Sequence, residues 1–148
     1  MTIRELRLSD YDTVYALWRK TPGMGLNDID DSREGIAKYL ERNPRTCFVA
    51  ESTDGGGIIG AIMSGHDGRR GVIHHTCVDP ALWGQHIGAR LVEAALAALK
   101  AEGISKVALV VFERNARGNG FWERLGFMER TDLVYRNKAL AELTRIDT

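Results

Sequence analysis

The sequence is short of several things, and each shortage narrows its class. Two cysteines occur in 148 residues, Cys47 and Cys77, far apart inside apolar runs. No Cys-x-x-Cys or Cys/His cluster has the spacing of a structural zinc site, so the chain must hold its fold by a hydrophobic core, with both thiols reduced and buried. Net charge is also missing: 20 basic and 20 acidic side chains cancel. No long-range field therefore draws the chain to nucleic acid or to an anionic membrane, and neither is expected as a partner. No apolar run approaches the ~20 residues that span a bilayer. The first residues, Met1-Thr2-Ile3-Arg4-Glu5, carry charge where a signal peptide needs an apolar stretch. The expectation is a cytoplasmic protein. Prolines number only three, and they fall between periodic segments rather than inside them.

What is present is enough for one domain over residues 1–148, with a core to about residue 138 and a short peripheral tail from Ala139. Thr2 to Leu6 reads as a strand. Ser9 then stands three residues before Asp12 as a helix cap, and Tyr11, Val14, Leu17 and Trp18 recur at helical spacing. Pro22, Gly23 and Gly25 break that period, so Thr21 to Asp30 is an ordered loop. Asp31 opens a second helix with Ile36, Tyr39 and Leu40 inward. Cys47–Ala50, Ile58–Met63 and Val72–Val78 read as an antiparallel meander joined by the turns Asp54-Gly55-Gly56-Gly57 and Asp67-Gly68-Arg69-Arg70-Gly71. A long helix is expected from about Gln85 to Glu102, stopped by Gly103. Its inner face holds Ile87, Leu91, Ala94, Ala95 and Ala98. Val107 to Phe112 is a strand covered on both faces, Asn115 caps a helix burying Phe121, Trp122 and Leu125, and Phe127 to Lys138 supplies one or two closing strands. This is an α/β (α+β) chain with a mixed, mostly antiparallel central sheet flanked by helices.

Chemistry concentrates where strand Val72–Val78 runs through Asp79-Pro80 into Trp83-Gly84-Gln85-His86-Ile87-Gly88-Ala89. A glycine-containing turn into a helix start presents unpaired N–H groups and the positive end of the helix dipole, which suits a phosphate. Gly55-x-Gly57-x-x-Gly60 also matches a dinucleotide-binding pattern, but a strand follows it where a helix is required, so it is a hairpin turn.

These residues resemble the GCN5-related N-acetyltransferase family, whose pyrophosphate loop reads Gln/Arg-x-x-Gly-x-Gly/Ala after a strand ending in Val-x-Pro. Val78 and Pro80 align the loop on Trp83 to Gly88, with Trp83 and His86 departing from the pattern. Asn115-Ala116-Arg117-Gly118-Asn119-Gly120-Phe121-Trp122-Glu123-Arg124-Leu125-Gly126-Phe127 resembles the family's second signature. The resemblance implies an acyl-CoA N-acyltransferase fold with acetyl-CoA as co-substrate and no metal. In it, backbone at Cys77 and Val78 pairs with pantetheine, the loop Trp83 to Ala89 holds the diphosphate, and Asn115 touches the coenzyme arm. Trp122 stands where the family often has a tyrosine acid, and an indole cannot usefully release its proton. It becomes a packing or thioester-positioning residue, with Tyr135 as the substitute acid.

The resemblance implies a small-molecule or peptide amine as acceptor, and such an amine needs a base. His74 and His75 lie on the strand leading to the coenzyme site, and since neighbours on a strand face opposite sides, His74 is preferred, sharing its face with Thr76 and Val78. Asp28, Asp30 and Asp31 border the acceptor side and could attract a cation. A homodimer is open. Two other readings remain: an acyl-CoA-binding module that senses without turnover, and an unrelated interaction domain.

Overall fold

The computed structural model describes residues 1–148. Five strands form the main sheet in the order β1 (Thr2–Glu5), β3 (Phe48–Glu51), β4 (Ile58–His66), β5 (Gly71–Val78) and β6 (Val107–Ala108). The first four run antiparallel; β6 joins parallel to β5. Helices α1 (Tyr11–Lys20) and α2 (Arg33–Arg42) cover one face, burying Val14, Leu17, Trp18 and Ile36 against Val49, Ala61, Met63 and Cys77. Helix α3 (Ile87–Ala101) covers the other with Ile87, Leu91, Val92 and Ala95 against Ala50, Ile62 and Ile73; Trp122 of α4 (Ala116–Arg124) joins that cluster. Both faces of β4 are thus sealed, and it carries the longest buried run. No helix is long and apolar enough to cross a membrane.

Cys47 and Cys77 are free and buried, as the composition predicts, and burial pushes each thiol up to about 12. Asn115 caps α4, its Oδ1 accepting from the Gly118 N–H at 2.9 Å. Other expectations are corrected. Ser9 does not cap α1; it lies in a 3-10 turn, and the polar anchor is Asp10, which takes a two-pronged bond from Arg4 and the Arg7 N–H. The Arg4 guanidinium holds the Asp10 carboxyl below its ordinary range. Nor is Asp31 the α2 cap: Ser32 is, accepting from the Gly35 N–H. Leu125, expected inside, is 36% exposed.

The largest departures lie after α3. Of the run Val107–Phe112 only Val107 and Ala108 enter the ladder, and Val110 is 71% exposed, so this strand is not covered on both faces. Phe127 to Lys138 forms no strand. The tail, expected to be peripheral, is tied down instead: β7 (Arg145–Ile146) pairs with β2 (Leu26–Asn27), inside the stretch expected to be an ordered loop without a strand.

Candidate functional site

β5 and β6 pair only through Gly71–Val107 and Val72–Ala108. Beyond that point β5 runs on to Val78 while the chain after β6 runs on through Leu109 to Phe112, with no hydrogen bond between them. Two parallel strands that part in this way leave a wedge-shaped cleft whose β5 wall is unpaired backbone. The Asp79 N–H donates to Ile59 O at 2.8 Å. Antiparallel alternation then assigns the Cys77 backbone groups to Ala61 and turns those of Thr76 and Val78 towards the cleft. Cys77 therefore spends its backbone on β4 and its thiol on the core. Thr76, which sequence reasoning passed over, shares the cleft register with Val78, and its Oγ1 is buried with no partner.

At the foot of the cleft stands the turn into α3. Gly84 has φ 85° and His86 φ 63°, the one non-glycine residue in the left-handed region. Both reversals fall in the turn just before α3 begins. None of the six amides from Gly84 to Ala89 has a backbone or side-chain acceptor, and the first helical bond is Arg90 N–H to His86 O. Unpaired amides at the positive end of a helix dipole suit an anion. Gly88 is needed for packing: a Cβ there would meet the Phe121 ring at 3.1 Å. Trp83 and His86 make no hydrogen bond to these amides. The Trp83 indole N–H instead donates to Val78 O at 2.9 Å, taking one lone pair of a cleft-facing carbonyl, while the Arg117 guanidinium lies 4.2 Å over its ring.

The second signature is placed beside the first. Phe121 touches Gly88, and Trp122 sits in the core between Phe121 and Phe127 at ring separations of 5.0 and 5.1 Å. Asn115 is heavily committed: its Oδ1 caps α4, its N–H donates to Phe112 O, and its amide lies against Gly23. Gly25, at φ 65°, lets the loop after α1 pass against the Phe112 ring, where a Cβ would come within 2.9 Å. This contact joins the α1–α2 loop to the far wall of the cleft.

The histidines lie differently from the strand rule. Ile62 and Ser64 are two positions apart on β4, but their partners Thr76 and Ile73 are three apart on β5, so β5 carries a bulge that leaves His74 and His75 unpaired with β4. Both rings consequently meet the α1–α2 layer. His74 packs edge-on to Tyr39 at 5.5 Å, away from the α3-side cluster that holds Val78. Its ring reaches solvent at the mouth of a cavity of about 250 Å³ lined also by Arg42, Asn43, His66 and Arg70. The surrounding protein, by desolvation first and the neighbouring His75 second, lowers its pKa below the ordinary histidine value. His75 Nε2 lies 2.6 Å from Asp31 Oδ1 and its ring 4.8 Å from Trp18.

This His75–Asp31 pair was not legible in the sequence, because 44 residues separate its members. Asp31 Oδ2 also accepts from the Asn27 N–H, so one carboxylate pins β2 and the start of α2 to β5. Asp30 and Asp28 are likewise engaged, by the Asn27 amide and the Thr144 N–H. The acidic loop spends its charge holding itself and the tail together. Asp31→Ala strands the Asn27 N–H and the His75 ring, and is expected to cost about 2 kcal/mol. A lower urea midpoint at unchanged slope is the check. Tyr135 is 70% exposed, in the stretch after α4 that makes no backbone hydrogen bond.

Residues 11–127 match the acetyltransferase (GNAT) family. The chain belongs to that family. It is 32% identical over 142 residues to an acetyltransferase of Pectobacterium atrosepticum, covering 96% of this chain and 97% of that one. Two solved structures share the acetyltransferase fold. Ard1 from Thermoplasma volcanium superposes with a TM-score of 0.74 at 22% identity, over 86% of this chain and 82% of its own. The PaiA N-acetyltransferase from Thermoplasma acidophilum, solved with coenzyme A, superposes with a TM-score of 0.70 at 19% identity, over 86% and 89%.

Proposed function

We propose that the chain transfers the acetyl group of acetyl-CoA to the amine of a small molecule or peptide by direct attack. The observation that carries this is the row of six unpaired amides, Gly84 to Ala89, at the foot of a cleft whose wall offers the Thr76 backbone and the Val78 N–H. The amides hold the diphosphate, and the Val78 N–H and the Thr76 carbonyl pair with pantetheine as a strand would. The co-substrate supplies the activated acetyl group. The chain orients it so that the Thr76 N–H on the cleft side, farther from the turn, can donate to the developing oxyanion. Neither cysteine serves as a nucleophile, since a thiol pushed up to about 12 is un-ionised at neutral pH.

His74 is the proposed base for the amine. It reaches solvent, and its lowered pKa keeps it neutral at pH 7, as a proton acceptor must be. A base works deprotonated, so kcat/KM should fall as pH drops through a value below about 6.5, and His74→Ala should abolish that acid limb. An unchanged profile removes His74 from the role. The leaving thiolate, with a pKa near ~8.5, departs without an obligatory acid, which accommodates both the buried Trp122 and the outlying Tyr135.

The absence of a placed acid is also what a coenzyme sensor would show. Thiol release from acetyl-CoA with a panel of polyamines, amino acids and peptide N-termini separates the two. An acetyltransferase accelerates release with at least one amine; a sensor binds the coenzyme and releases thiol no faster than buffer.

A further inference from the structure

The end of α2, the turn between β4 and β5 and the middle of β5 line the cavity of about 250 Å³ at whose mouth His74 lies. Donors gather there without acceptors. The Arg42 and Arg70 guanidinium groups line it, and neither is paired with an acid of the chain. Asn43 is 5% exposed; its Oδ1 accepts from the His66 N–H at 2.9 Å, while its Nδ2 finds no acceptor. The Tyr39 hydroxyl is likewise unpartnered, and burial raises its pKa, so it remains a donor at neutral pH. Gly65 brings these two groups together on the floor of the cavity. A Cβ there would stand 2.5 Å from the Tyr39 hydroxyl and 2.6 Å from Asn43 Nδ2.

The nearby acids do not cancel this set. Asp67 is the one acid on the lining, and its Oδ1 is taken by the Arg69 and Arg70 N–H groups, at 2.8 Å each. His66 is turned to Glu102 at 3.2 Å, and its Nδ1 accepts from the Gly68 N–H. Two guanidinium groups therefore face one carboxylate, with an amide N–H and a phenol O–H left to donate. Charge-assisted bonds from such a set are the strong ones, and their natural acceptor is an anion. We propose that this cavity takes the anionic group, a carboxylate or a phosphate, of the chain's amine ligand. On the transferase reading, on which this assignment rests, that ligand is the acceptor: its amine lies at His74 and its anion at Arg42 and Arg70. The volume is below the about 300–1,000 Å³ of pockets for drug-sized ligands, so the occupant is a small molecule rather than a peptide. A polyamine would bring like charge to both arginines and is selected against.

Binding and turnover are read side by side on matched amines, with coenzyme A present for calorimetry and acetyl-CoA for thiol release. The pairs are glycine, alanine and glutamate against their carboxamides, and O-phosphoethanolamine against ethanolamine. In at least one pair the charged member should bind at least about 30-fold more tightly than the neutral one and shift the Asn43 side-chain amide signals in NMR. Arg42→Gln and Arg70→Gln, both at exposed side chains, should each cut that ratio about 10-fold, raising KM for the charged amine. Arg69→Gln, on the same turn but off the cavity, should keep the ratio. Either anion satisfies the proposal, and the tighter pair names the group. Equal binding of charged and neutral members, no heat with any charged amine, or a preference that both arginine variants leave intact overturns it. The transferase reading fails separately: charged amines that bind through the arginines and shift Asn43, yet release no thiol, keep the anion site and remove the reaction.

Discussion

Gln85→Glu should weaken coenzyme A binding about 30-fold while leaving thermal stability unchanged. The replacement is nearly isosteric and lies on the exposed turn between Gly84 and His86, so it disturbs no packing. What it adds is one negative charge beside the amides that are to receive a diphosphate. At about 6 Å and an effective dielectric near 40–50, each unit of phosphate charge is repelled by about 1 kcal/mol, and two such charges give about 2 kcal/mol. The loss should shrink as salt is added, because the site is open to solvent and repulsion there is screened. Pantetheine, which lacks the diphosphate, should bind the variant and the parent alike. Equal weakening for both ligands would place the effect elsewhere.

Trp18→Ala should be among the most destabilising single changes in the chain. Trp18 is 0% exposed, stands edge-on to His75 and Tyr15, and joins α1 to the sheet face that carries Cys77. Removing a buried indole costs about 3–5 kcal/mol through lost burial and the cavity left behind. For a chain of this length that lowers the melting temperature by roughly 10 °C. The indole N–H has no acceptor, so its value lies in shape alone. Trp18→Phe, which removes the orphaned donor and keeps an aromatic ring, should therefore cost much less than the alanine change. A phenylalanine variant as unstable as the alanine one would mean that the N–H has a partner, for instance an ordered water.

Elements with strong local signals were legible in the sequence. The meander from Phe48 to Val78 announces itself by apolar runs broken at two glycine turns, α3 by its apolar face, and α4 by Asn115 at its start. The turn Gly84–Gly88 and the signature from Asn115 to Phe127 carry the family resemblance, and family membership follows over residues 11–127. Features that depend on distant partners were not legible. Asp31 looks like a helix cap because it precedes Arg33-Glu34; only the fold brings His75 within 2.6 Å of it and leaves Ser32 to cap. The β5 bulge has no sequence mark, since it arises from the mismatch between Ile62–Ser64 and Ile73–Thr76, and it undoes the simple alternation that put His74 on the face of Val78.

Residues 127–138 show a different kind of failure. Their apolar pattern does read as a strand, but a strand is a relation between two segments, and no segment of the same chain supplies the other half. The tail errs in the opposite sense. Arg145–Ile146 is too short and polar to register as a strand, yet it finds a partner in Leu26–Asn27, with the Thr148 hydroxyl accepting from the Met24 N–H at 3.0 Å.

Whether main-chain hydrogens at the start of α3 grip the coenzyme's diphosphate is observed directly by amide NMR during titration with coenzyme A. The Gly84 to Ala89 signals should move together, saturate with the calorimetric binding curve and become slower to exchange, while amides on the far edge at β1 stay still. Coenzyme binding that leaves those six signals where they were, or a titration with neither heat nor shifts, would contradict it.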